Sequence, residues 1–178
     1  MWEGWFALLP TTETPAEKSR LSVADFRVSD LPISTMEQRI QYCRIHSGLS
    51  CSEIAEQMGI HPDYYYLLEQ KADRIGPNKL MRFCSATLSE PGFILYGASP
   101  PPVVPLTGAT IGERIREYRL STGLSARQFG YRMLGAKRTS SLSAWESGST
   151  IPEMRSLMMI ANAFGISAVS FLPECSIE

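Results

Sequence analysis

The 178-residue chain has little of what marks several protein classes. Its four cysteines (Cys43, Cys51, Cys84 and Cys175) are too few and too scattered for a disulfide framework, so a reducing, cytoplasmic setting is expected. No apolar run approaches the ~20 residues that span a bilayer, and no membrane partner is expected. The greasy opening MWEGWFALLP contains Glu3 and lacks both a basic start and a small-residue cleavage site, so it does not read as a signal peptide. Only two histidines occur, both in the first half. There is no phosphate loop, no Gly-x-Ser-x-Gly and no acid pair tied to a histidine, so no catalytic residues and no enzyme are expected. Cys43, His46, Cys51 and His61 lie near one another, but gaps of three, five and ten do not follow zinc-ligand spacing. Neither a metal nor another cofactor is expected.

Net charge is also scarce, at −1, yet the average hides an uneven distribution. The stretch Ala98 to Leu106 (ASPPPVVPL) holds four prolines and no charge, which favours extended polyproline geometry and marks a linker. Residues 35–97 before it carry six bases and seven acids, whereas residues 107–173 after it carry eight bases and four acids. A positive field confined to the second segment is where a phosphate partner would bind.

What is present is a repeat. At an offset of 75, RIQYCRIHSGLSCSEIAEQM (Arg39–Met58) aligns with RIREYRLSTGLSARQFGYRM (Arg114–Met133), with seven identities in twenty positions. Each copy reads as helix, turn, helix. In the second, Ile111, Ile115 and Tyr118 share a face, Gly123 suits a left-handed stop, and Ser125 with Gln128 forms a capping box. Phe129 and Met133 are the buried face of the next helix. In the first copy, Ser34 with Glu37 is expected to open the first helix, Gly48 to stop it, and Ser50 with Glu53 to cap the second. Third helices are expected over Tyr64–Glu69 and Ser140–Glu146. Pro77 and Pro152 suit the first turn of the helices that follow. The domains expected are an arm (1–34), a first helical unit (35–97), a Pro-rich linker (98–109), a second unit (110–173) and a tail (174–178). The fold class expected is all-α: two small helical bundles.

The second copy resembles the phage-repressor/Cro-like (XRE-type) helix-turn-helix family. The likeness rests on IGERIREYRLSTGLSARQF, on Leu142, Trp145-Glu146-Ser147-Gly148 and Pro152, and on MIANAFGISAVSFL. The first copy is similar more weakly, through GLSCSEIAEQMGI and Glu69. The resemblance implies two tandem domains, double-stranded DNA as the partner and a homodimer as the working form. Such a motif lays its recognition helix in the major groove while the preceding helix crosses the backbone. Carried onto this chain, the DNA-binding residues are Ser125, Arg127, Gln128, Lys137, Arg138, Thr139, Ser140, Ser141 and Ser143, with Leu142 and Trp145 seating the helix. Two departures stand out: Ala126 replaces the glutamine usual after the cap, and Met133 to Trp145 is two residues longer than the family's span. Arg114, Arg116 and Arg119 read as plain helix surface, partnered by acids such as Glu113 and Glu117.

In the first copy the candidate DNA or protein contacts are Ser50, Ser52, His61, Asp63, Tyr64 and Leu67. Three consecutive tyrosines followed by Leu67 resemble a protein-contact surface as much as a DNA-reading one. The expected function is a sequence-specific DNA-binding transcriptional regulator of bacterial, phage or mobile-element type, read mainly by the second domain. The alternative is an interaction protein on the same fold, an antiactivator or antirepressor that binds a regulator or polymerase through its first domain. A fully extended linker of ~35 Å, at ~3.1 Å per residue, would let two domains reach successive major grooves. In the arm, Trp2, Trp5 and Phe6 are candidate anchors, and FRVSDLPIS is a candidate short strand.

Overall fold

Capping residues divide the chain into short helices. The computed structural model describes residues 33–134 and 140–173, with Leu134 and Ser140 described by backbone alone. Over these residues it is all-helical, as expected from the sequence. Residues 1–32 of the arm, with all of its candidate strand but Ile33 and Ser34, the 135–139 segment and the tail at 174–178 lie outside the described residues. The first unit comprises α1 (Met36–Ser47), α2 (Cys51–Met58), α3 (Pro62–Gln70), a 3₁₀ turn (Ala72–Arg74), α4 (Pro77–Thr87) and α5 (Pro91–Tyr96). The second comprises α6 (Ile111–Ser121), α7 (Ala126–Leu134), α8 (Ser140–Glu146), α9 (Met154–Phe164) and a closing 3₁₀ turn (Ala168–Phe171).

The same devices recur 75 residues apart. Thr35 and Thr110 open α1 and α6 with full capping boxes, closed by Gln38 and Glu113. Ser50 with Glu53, and Ser125 with Gln128, do the same for α2 and α7. Gly48 and Gly123 both adopt φ +70°, where a side chain would be strained. Arg44 Nε meets Glu69 Oε1 at 2.6 Å, and Arg119 Nε meets Glu146 Oε1 at 2.6 Å, so each first helix is tied to the end of its third. Arg39 donates to the carbonyls of Ser34 (2.8 Å), Ile94 (2.8 Å) and Leu95 (3.1 Å), which clamps α5. Its counterpart Arg114 donates to the carbonyls of Gly108 and Leu172, both at 2.6 Å, clamping the closing 3₁₀ turn.

These pairings correct the sequence reading at several points. Arg114 and Arg119 are structural ties, not plain helix surface, because backbone carbonyls and Glu146 hold them. Glu113 serves the Thr110 cap, and Glu117 accepts from the amides of Thr107 (2.8 Å) and Gly108 (3.0 Å). Ser34 is not the N-cap of α1; Thr35 is, because Gln38 closes the box and Glu37 instead accepts from the Ala72 amide at 3.1 Å. Pro152 precedes α9, whose N-cap is Glu153. Pro77 does begin α4.

Each unit has an aromatic centre. In the second, the Tyr118 ring meets Phe129, Phe164 and Phe171 edge-on at 5.6–6.3 Å between centroids. In the first, Tyr65 stacks on Phe83 at 6.4 Å, and both are fully buried. Gly112 lies where α6 crosses α8; a Cβ there would collide with the Trp145 carbonyl oxygen, so no larger residue fits this crossing.

The two units are joined by main-chain bonds. The Ile75 carbonyl accepts from the Met154 amide (3.1 Å) at the start of α9, filling a cap position that no side chain fills. The Tyr96 hydroxyl accepts from the Ala168 amide at 2.8 Å. The linker takes part: the Pro102 carbonyl accepts from Ser167 (2.8 Å), and the Val104 amide donates to Ser170 Oγ (2.9 Å). The linker is therefore tied to the closing turn of the second unit.

Candidate nucleic-acid interface

The helix-turn-helix of the second unit is positioned from behind by its core. Phe129 and Met133 anchor α7, and Leu142, fully buried, anchors α8 with the half-buried Trp145. The Arg119–Glu146 pair fixes the far end of α8. The opposite faces are left to solvent: Ser125, Arg127, Gln128, Tyr131 and Arg132 on α7, and Ser143 on α8, are all exposed. Ser141 is half-buried. Ser140 begins α8, and the sequence-expected contacts Lys137, Arg138 and Thr139 lie outside the described residues.

Not every expected contact is equally available. Ser125 Oγ donates to Gln128 Oε1 at 2.7 Å and accepts from the Gln128 amide at 3.3 Å, so hydroxyl and carbonyl are engaged in the cap. The Gln128 amide nitrogen remains as a donor. Arg132 lies 4.6 Å from the Phe164 ring centroid and donates to the Ala163 carbonyl at 3.4 Å. Arg127 projects one helical turn before Tyr131, which is 63% exposed. Sequence reasoning missed Tyr131; its i+4 spacing from Arg127 was the available signal.

The equivalent face of the first unit has the opposite character. At the offset of 75, Ser52, Glu53, Glu56 and Gln57 stand where the second unit has Arg127, Gln128, Tyr131 and Arg132. Neither α2 nor α3 contains a lysine or arginine. Ser50 caps α2, and its hydroxyl bonds Glu53 Oε2 at 2.7 Å. That contact and the Ser50 amide hold the Glu53 carboxyl below the usual carboxylate range. His61 caps α3 by accepting from the Asp63 amide at 3.3 Å, with Asp63 fully open to solvent. The three tyrosines diverge: Tyr65 is core, Tyr64 is half-buried beneath Lys79 Nζ at 4.1 Å, and Tyr66 is exposed beside Leu67. The outward pair is thus Tyr66 and Leu67, not Tyr64 and Leu67.

Among the described residues no group of three or more His, Cys, Asp or Glu is placed to hold a metal, and no helix is long and apolar enough to cross a membrane. Residues 115–171 match a family model described as Helix-turn-helix. Comparisons with curated proteins and with solved structures give no significant match. The matched residues run from the middle of α6 through the closing 3₁₀ turn, wholly within the second unit. The likeness to a helix-turn-helix family is thus carried by the second unit, over about a third of the chain.

Proposed function

We propose that the chain is a sequence-specific double-stranded DNA-binding transcriptional regulator of bacterial, phage or mobile-element type, with the second unit as its main reader. The observation that carries this reading is the α7 face. Two arginines and an exposed tyrosine stand there on a helix-turn-helix whose rear is locked into the core. Arg127 and Arg132 meet phosphates as α7 crosses the backbone, and the amides at the start of α7 add a further anion site. Lys137, Arg138, Thr139, Ser140, Ser141 and Ser143 are the base-edge and phosphate contacts around α8. The family reading carries a homodimer on an inverted repeat.

The first unit is proposed as a diverged copy of the second. The support is the recurrence at an offset of 75 of two capping boxes, a left-handed glycine and two arginines, one tied to a glutamate (Glu69 or Glu146, 77 apart) and one clamped on backbone carbonyls. Its α2–α3 face repels phosphate, with Glu53, Glu56 and Asp63 exposed. The same face favours a second role, contact with a regulator or polymerase through Tyr66 and Leu67.

The test is selection of genomic fragments by the purified full chain, followed by binding of the enriched duplex. The expected result is one enriched sequence whose binding falls at least tenfold in Lys137→Ala/Arg138→Ala. No enrichment, with only weak salt-labile binding, overturns the reading.

A further inference from the structure

The first unit is electrically divided. Residues 50–70, which form α2 and α3 with their turn, carry four acids (Glu53, Glu56, Asp63 and Glu69) and no lysine or arginine. Residues 71–82, which run through the 3₁₀ turn into α4, carry four bases (Lys71, Arg74, Lys79 and Arg82) and one acid, Asp73. Two of these bases are engaged: Lys79 Nζ lies 4.1 Å from the Tyr64 ring centroid, and Arg82 Nη1 donates to the Met58 carbonyl at 3.1 Å. The other two, Lys71 and Arg74, are exposed, and among the described residues neither has a side-chain partner. Asp73 lies 3.9 Å from Arg155, which also meets Glu153 at 3.1 Å, so the acids nearest the seam already face a base.

The free pair is held close to the helix-turn-helix of the second unit. Arg74 adjoins Ile75, whose carbonyl accepts from the Met154 amide at 3.1 Å, so the 3₁₀ turn is pinned to the start of α9. The Thr150 amide donates to the Ala144 carbonyl at 3.2 Å, which folds the loop after α8 back on its last turn. From Thr150 the chain reaches Met154 in four residues, at most ~14 Å. Ser147, Ser149 and Thr150 on this loop are exposed. A helix of the length of α8 spans ~10 Å, and the major groove is ~12 Å wide. Laid in that groove, α8 brings its closing loop, and the turn pinned beyond it, within reach of the phosphates that flank the groove.

We propose that Lys71 and Arg74 of the first unit bind backbone phosphates beside the duplex segment met by α7 and α8, so that the first unit extends the footprint without reading sequence. This rests on the reading of the second unit as the DNA-binding one. The first unit then meets DNA through its basic edge, while its acidic α2–α3 face stays off the duplex. The Ile75–Met154 bond fixes where the two cations sit relative to α9. Contacts to phosphate set register and orientation only when their own position is fixed in this way.

Fluorescence anisotropy of the full chain on the enriched duplex and on a duplex of unrelated sequence, across a range of salt, tests this. Each phosphate contact adds about 0.9 to the steepness of log affinity against log salt. In Lys71→Gln/Arg74→Gln the steepness should be about 1.8 lower than in wild type on both duplexes. Between about 50 and about 200 mM salt, this variant should therefore lose about tenfold less affinity than wild type does. The ratio of the two affinities should stay as in wild type, because phosphate contacts carry no sequence. Lys71→Arg/Arg74→Lys should restore the steepness, which a merely structural role would not require. Hydroxyl-radical footprinting should show a protected backbone stretch that the glutamine variant loses, with the rest of the footprint intact. Wild-type steepness in Lys71→Gln/Arg74→Gln, with Arg127→Ala reducing it, overturns this proposal and leaves the reading of the second unit standing. A wild type that enriches no duplex and binds without salt dependence overturns both.

Discussion

Replacing Glu146 with glutamine removes one charge from the tie between α6 and α8 while keeping its shape. In the native fold Arg119 Nε and Nη2 meet the two Glu146 oxygens at 2.6 and 2.9 Å, a fork-to-fork geometry. The two side chains are only 13% and 12% exposed. Exposed pairs contribute about 0–1 kcal/mol, and breaking a fully buried pair costs about 3–5 kcal/mol. A pair with this residual hydration should fall between, so Glu146→Gln should cost about 2–3 kcal/mol. At roughly 3 °C per kcal/mol for a cooperative unit of this size, Tm should fall by about 6–9 °C. Thermal unfolding followed by circular dichroism gives the shift. A double-mutant cycle with Arg119→Met gives the coupling, expected above about 1.5 kcal/mol. A coupling below about 0.5 kcal/mol would place the pair with ordinary surface pairs and refute the claim that it anchors α8.

Three further outcomes follow from the same geometry. Tyr96→Phe removes the acceptor of the Ala168 amide and should cost about 1–2 kcal/mol, with faster hydrogen exchange at that amide; unchanged exchange would show that the seam does not depend on this bond. The amides of Gly108 and Thr107 hold the Glu117 carboxyl below its ordinary range, so its contribution is present above the unfolded pKa and lost as pH falls through the folded one. Acid unfolding between about pH 5 and pH 3 should therefore be shallower in Glu117→Gln; an unchanged slope would contradict it. Burial pushes the Cys43 thiol up to about 12, so it should resist alkylation in the native chain at pH 8 and react on unfolding, whereas early labelling at Cys43 would contradict its burial.

What was legible in the sequence is what a few residue types impose locally. Ser50 with Glu53 and Ser125 with Gln128 announce helix starts because hydroxyl and carboxamide or carboxylate must sit three residues apart to satisfy free amides. Gly48 and Gly123 announce stops because the left-handed conformation strains other residues. The opening of α1 was ambiguous, since Ser34–Glu37 and Thr35–Gln38 both fit the spacing. Tertiary structure decided it by using Glu37 for the Ala72 amide. Arg114 looked like surface because its partners are backbone carbonyls, which every residue carries and no pattern reveals; Arg39 is held in the same way. The seam was hidden for the same reason: Ile75 and Pro102 contribute only their carbonyls. Burial of Tyr65 between the half-buried Tyr64 and the exposed Tyr66 needed the register of α3 against α4, which adjacent tyrosines alone do not fix.

The central claim is that the second unit reads DNA through the α7–α8 face and that the matching face of the first unit does not. Affinity for the enriched duplex, measured across a range of salt by fluorescence anisotropy, tests it most directly. For wild type, the logarithm of affinity should fall steeply with the logarithm of salt. In Arg127→Ala the slope should fall by about one unit, as expected for one lost phosphate contact. In Tyr66→Ala/Leu67→Ala both slope and affinity should match wild type. Loss of DNA affinity in the Tyr66→Ala/Leu67→Ala chain, with Arg127→Ala indistinguishable from wild type, would contradict the account.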